Sequence, residues 1–114
     1  MKDWKAVVAA GLALPGVELG TTYGKPALKV RGKMIAATTS PEPGSFGLHA
    51  SVDDKAILID TDPMTFWETD HYRCWPAVLV RYGTPATDRI EGLLARAWWD
   101  RSSVAERKRY GGRP

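Results

Sequence analysis

The stretch Ala27-Leu28-Lys29-Val30-Arg31-Gly32-Lys33-Met34-Ile35-Ala36-Ala37-Thr38-Thr39 decides the fold. Two apolar runs, residues 27–30 and 34–39, flank Arg31-Gly32-Lys33. The glycine sits where a tight turn needs unusual backbone angles, so the stretch reads as a β-hairpin. If Leu28 and Val30 face a core, then Ala27, Lys29 and Arg31 take the other face, because successive residues on a strand change sides.

Working outward, Tyr23-Gly24-Lys25-Pro26 ends a short strand over residues 17–22. Residues 45–52 alternate: Phe46, Leu48, Ala50 and Val52 face one side, while Ser45, Gly47, His49 and Ser51 face the other. Between them Ser40-Pro41-Glu42-Pro43-Gly44 reads as a loop. Residues 76–82 form an apolar strand entered through Pro76, and its composition suits the centre of a sheet. Helices close both ends. Trp4, Val7, Val8, Gly11 and Leu12 make one helical stripe, with Asp3 as cap and Leu14-Pro15-Gly16 as stop. Ile90, Leu93, Leu94, Ala97 and Trp98 make another, in a helix opened by Thr84-Pro85, with Arg89 and Arg96 on its solvent side. Asp53 is expected to cap a short helix to about Ile59, and Asp62-Pro63 to begin another helical turn. The basic tail from Arg101 is expected to fray.

These elements predict an α+β domain, an antiparallel sheet of four to five strands flanked by N- and C-terminal helices. The chain has 114 residues and suits a single domain over residues 1–110 with a flexible tail over 111–114. A chain of this size supports a core without metal or disulfide staples, and one cysteine, Cys74, excludes an internal disulfide framework. No apolar run approaches the ~18 residues of a membrane span. The apolar segment after Lys2 and Lys5 imitates a secretory signal, but its helical stripe marks it as a structural helix, which predicts a cytoplasmic protein.

The net charge of +3 is unevenly spread. From Leu19 to Pro41 there are four bases, Lys25, Lys29, Arg31 and Lys33, and no acid. From Asp53 to Asp70 there are six acids against Lys55 alone, and from His71 to the end nine bases against four acids. Clustered bases at a pI near 9.2 suit nucleic acid. A solvated bipolar surface explains the same pattern. The open sheet face, with Lys29, Arg31, His49 and Ser51, is a contact surface or a solvated face by the same reasoning.

Catalytic constellations are thin. His71 and Cys74 lie three apart in Asp70-His71-Tyr72-Arg73-Cys74-Trp75, but no helix start or glycine-rich element is there to activate a thiol or build an oxyanion hole. The reading is therefore non-enzymatic. Two histidines and one cysteine do not supply a metal set, and the acids of residues 53–62 lack calcium-loop spacing. No metal and no cofactor is expected. Trp67 and Trp75 bracket the loop holding His71. Aromatics among bases either stack on nucleobases or close the edge of a small core.

Several segments together carry a family resemblance. They are Leu14-Pro15-Gly16-Val17-Glu18, Thr22-Tyr23-Gly24-Lys25-Pro26-Ala27-Leu28-Lys29-Val30 and Gly32-Lys33-Met34-Ile35-Ala36, then Phe66, Thr69-Asp70-His71-Tyr72, Trp75-Pro76-Ala77-Val78-Leu79-Val80, Leu94 and Ala97-Trp98. Spanning nearly the whole chain, they resemble the MmcQ/YjbR family of small bacterial proteins. The resemblance implies a secretion-chaperone-like α+β fold and a DNA-binding role through a double wing of hairpins. The first wing would turn at Arg31-Gly32-Lys33. Phosphate contacts would come from Lys25, Lys29, Arg31 and Lys33, with Arg73, Arg89 and Arg96 added from the basic second half. Cys74 stands where a small residue is expected, which argues against a shared catalytic cysteine.

Three functions are thus in view. A DNA-binding module of weak sequence preference comes first. A protein-interaction module with a chaperone-like role and no named protein partner comes second. A small-ligand site comes third, and it requires a pocket joining Tyr23, Lys29, His71 and Trp75, with His49 as a further ligand-facing candidate.

Overall fold

The computed structural model describes residues 1–39 and 44–114. The chain runs α1 (Trp4–Leu12), β1 (Val17–Thr22), β2 (Lys25–Val30), β3 (Lys33–Thr38), β4 (Ser45–His49), α2 (Val52–Thr61), β5 (Phe66–Trp67), a 3₁₀ turn (Asp70–Tyr72), β6 (Ala77–Arg81), α3 (Thr87–Arg101) and α4 (Val104–Tyr110). One antiparallel sheet takes the order β1-β2-β3-β4-β6-β5. The α+β class is as expected. The sheet has six strands rather than four to five, because β5 is two residues long and too short to show an alternation in sequence. The loop read at residues 40–44 lies, Gly44 apart, outside the described residues. No helix among the described residues is long and apolar enough to cross a membrane.

Helices α1 and α3 cover one face of the sheet. Leu28, Val30, Phe46, Leu48, Val78 and Val80 point into that core, where they meet Val7 and the predicted stripe of α3: Ile90, Leu93, Leu94, Ala97 and Trp98. Asp3 caps α1 as expected, accepting from the Ala6 amide at 2.9 Å. Gly11 lets α1 approach β2, since a Cβ there would lie 2.4 Å from Leu28 Cδ1. Trp98 Nε1 donates to the Pro15 carbonyl at 2.7 Å and ties the helix-stop turn to α3.

Several local expectations change. The strand read to residue 52 ends at His49, because Ser51, rather than Asp53, caps α2 by accepting from the Asp54 amide at 3.1 Å. Asp53 and Asp54 fill the first turn of α2, where carboxylates meet the positive helix end. Asp62-Pro63 opens a single turn as expected, its Asp62 carbonyl accepting from the Thr65 and Phe66 amides at 3.1 and 3.0 Å, and the chain then enters β5. Helix α3 starts at Thr87, past Thr84-Pro85. The tail forms α4, capped by Ser103. Beyond it, Arg113 bridges Asp100 at 2.9 Å and Asp54 at 3.3 Å, and the Pro114 carbonyl accepts from Arg96 Nε at 2.9 Å.

The second face of the sheet is not bare. Ala27 and Leu79 on that face are fully buried. Residues 68–76 cross over it, and this crossing creates the site.

Candidate functional site

Two turns frame the β2 strand. Tyr23-Gly24 has φ of +48° and +75°, and Arg31-Gly32 has +54° and +75°. Positive φ at both central residues is the type I′ hairpin geometry that right-twisted strands favour, and its usual first residue is Asn, Asp or Gly. Here Tyr and Arg occupy that position, where a left-handed backbone costs a side-chain-bearing residue about 1–2 kcal/mol. Both side chains are exposed, Tyr23 to 87%. The two turns therefore hold an aromatic ring and a guanidinium outward at opposite ends of one strand, against local preference.

The second element is organised by Lys55, which is only 2% exposed. Its ammonium donates to the carbonyls of Tyr72, Arg73 and Trp75 at 2.8, 3.0 and 2.8 Å. Those three bonds use all three ammonium protons. Glu68 Oε2 lies 2.9 Å away as a counter-charge and accepts no hydrogen bond among the described residues. One buried cation thus fixes the loop that carries His71, Tyr72 and Trp75.

The result is a concave pocket of about 860 Å³ on the open sheet face, inside the ~300–1,000 Å³ range of small-ligand sites. Ala37, Gly47 and Ala77 form its small-residue floor, Lys25 and Tyr23 stand at one side, and His71, Tyr72 and Trp75 at the other. The aromatic rings make a continuous surface. The His71 and Trp75 centroids are 5.0 Å apart, Tyr72 and Trp75 5.7 Å, and Tyr23 and Trp75 6.4 Å with planes 29° apart. A Cβ on Gly47 would come 3.8 Å from the Tyr72 hydroxyl, so Tyr72 reaches across the sheet to the central strand.

The sequence-derived residues divide sharply. Tyr23, Lys25, His71 and Trp75 meet at the pocket. Lys29 lies on the same face, opposite Glu18 in register, and its stem crosses Gly20, where a Cβ would be 3.3 Å from Lys29 Cδ. It leans away from Glu18 toward the Tyr23 end. Arg31 occupies the far turn. Lys33 pairs with Val30 and emerges on the helix-covered side of the hairpin rim, where it is exposed. None of these four bases makes an ion pair among the described residues.

The other three bases are engaged elsewhere. Arg73 bridges Asp70. Arg89 donates to Thr61 Oγ1 at 2.9 Å and lies over the Phe66 ring. Arg96 faces Asp54 at 3.7 Å. His49 is outside the pocket: Arg101 Nη2 donates to its Nδ1 at 2.9 Å. Burial first, and the Arg101 charge second, hold the His49 pKa below its ordinary 6.5. Cys74 is exposed and free.

By sequence alone Lys55 has no role beyond a lone base among acids, and Tyr72, with His71, reads as an anchor of the loop that feeds the central strand. Lys55 was legible in one respect: it precedes Leu58 and Ile59 by three and four residues, so it shares the apolar stripe of α2. The place of Tyr72 in the pocket has no sequence signal, since its reach across the sheet depends on the loop that Lys55 holds.

A six-stranded antiparallel sheet with helices on one face and a strapped aromatic pocket on the other defines the structural class. The chain belongs to the YjbR family, whose model matches residues 12–99. It is similar in structure to Deinococcus radiodurans protein DR2400, which carries the DUF419 domain. The TM-score is 0.73 at 19% identity, covering 98% of this chain and 90% of that one. At that identity the likeness speaks to fold. No curated protein matches the sequence.

Proposed function

We propose that this is a non-enzymatic nucleic-acid-binding protein of weak sequence preference, with phosphate contacts from the β2–β3 hairpin. The observation that carries the reading is the set of four hairpin bases, Lys25, Lys29, Arg31 and Lys33, with no ion-pair partner among the described residues. Unpaired surface cations are free to release counterions from a polyanion, whereas paired ones must first give up a carboxylate. The acids support the same polarity. Helix α2, which holds Asp53, Asp54 and Asp60, packs at the β5–β6 edge of the sheet, while the hairpin forms the opposite side with β1. A polyanion is therefore steered toward one edge.

Two tight hairpins in succession, β1–β2 and β2–β3, fit a double-wing arrangement. Among the described residues no base-reading helix accompanies them, so the contacts position a strand more than they read it. A cytoplasmic location suits such a partner. Titration of a labelled DNA duplex at several salt concentrations tests the reading. Four phosphate contacts predict a log–log slope near −3.6, that is about −0.9 for each. Absence of binding at low salt removes it.

A further inference from the structure

We propose that the open-face pocket takes an unpaired nucleobase, inserted between Tyr23 and Trp75, with the adjoining phosphates at Lys25 and Lys29. The inference rests on the nucleic-acid reading above and goes further, since it assigns a site that prefers single strands.

The wall geometry comes first. The Tyr23 and Trp75 rings are within 29° of parallel, at a centroid separation of 6.4 Å. A flat ring between them needs about 7 Å, twice the ~3.5 Å contact distance between carbons. The 6.4 Å is a centroid distance that contains lateral offset, so a base enters through an outward swing of the Tyr23 ring away from Trp75. Tyr23 is free to make it, because the ring is 87% exposed on a two-residue turn. Trp75 is more constrained, because Lys55 holds its backbone carbonyl and its ring packs on His71 and Tyr72 at centroid distances of 5.0 and 5.7 Å. One wall is anchored and the other is adjustable, which is the mechanical requirement of a clamp.

The strain at Tyr23 is the second observation. A left-handed backbone at an aromatic residue is unfavourable, and the ring, 87% exposed, packs on this chain through its contact with Trp75. Such strain is expected where a side chain serves a ligand.

Charge is the third. Lys25 lines the pocket and Lys29 leans along the same face toward it. An apolar, aromatic cleft bordered by unpaired ammonium groups complements a ligand that is flat and apolar at one end and anionic at the other. A base within a duplex cannot enter, because its faces are already stacked on neighbours; an unpaired base offers both.

The test compares three labelled probes of equal length at one low salt concentration: an oligothymidylate, its fully abasic counterpart and a DNA duplex. The oligothymidylate is expected to bind about tenfold more tightly than the abasic strand, the gain expected from one stacked base. Tyr23→Asn, which suits the turn, is expected to bring the oligothymidylate down to the abasic level. Gly47→Val, which fills the floor, should do the same, and circular dichroism checks that both variants fold. Equal binding of all three probes to the unmodified protein overturns the pocket and leaves the hairpin reading standing. So does a base preference that survives both substitutions. No binding of any probe overturns both.

Discussion

Lys55 Nζ lies 2.9 Å from Glu68 Oε2, yet its three protons go to the carbonyls of Tyr72, Arg73 and Trp75. The lysine therefore serves the loop first and the carboxylate second. Lys55→Met leaves three partly buried carbonyls and a partly buried carboxylate without their cation, a change that costs about 3 kcal/mol. Glu68→Gln leaves the carbonyl bonds intact and should cost about 1 kcal/mol. Urea denaturation of the two variants checks the order. Equal losses would show that the ion pair, and not the carbonyl cage, is what matters.

The two type I′ turns predict stabilisation on substitution. Tyr23→Asn and Arg31→Asn each create the Asn-Gly pair that this turn favours. Each should relieve roughly 1 kcal/mol of left-handed strain, raising Tm by about 4 °C in a domain of this size. Thermal unfolding measures it. A fall in Tm for either variant contradicts the strain argument.

Glycines in two settings should respond differently. At Gly11 an added methyl meets Leu28 Cδ1 at 2.4 Å inside the core, and overpacking of about 1–3 kcal/mol outweighs the gain of about 1 kcal/mol in helix propensity. At Gly47 an added methyl meets nothing closer than 3.7 Å. Gly11→Ala is expected to be destabilised and Gly47→Ala to stay near neutral, read from denaturation midpoints.

His49 predicts a pH dependence. Its folded pKa is depressed by burial and by Arg101, with Asp100 and the Pro76 carbonyl opposing. The unfolded chain therefore binds more protons than the native state as pH falls below about 6.5. Stability should be full above that value and decline as acid protonates the ring against the Arg101 guanidinium. His49→Gln, with its amide oxygen available to Arg101, should flatten the decline below about pH 6.5. An unchanged profile would assign the dependence to other groups.

Much of this fold was readable from periodicity. The stripe of α3 is buried at all five predicted positions, and the central hairpin forms where Gly32 permits it. What escaped depends on contacts distant in sequence. Strand β5 has only two residues, and its identity comes from pairing with Leu79 and Val80. The end of β4 was misplaced because Ser51 and Asp53 are equally good caps by residue type, and tertiary position chose between them. The site is half legible: Tyr23, His71 and Trp75 line the pocket, whereas Lys29 and His49, expected at the same site, do not. Lys55 was counted as one base among acids, because a charge count carries no information about burial.

The most direct measurement is the salt dependence of duplex binding for two double variants. Lys29→Ala with Arg31→Ala removes two free hairpin cations, and the log–log slope should become shallower by about 1.8. Arg73→Ala with Arg96→Ala removes two cations already paired with Asp70 and Asp54, and the slope should match the unmodified protein. The reverse pattern, or equal slopes for all three proteins, would contradict the hairpin as the polyanion contact.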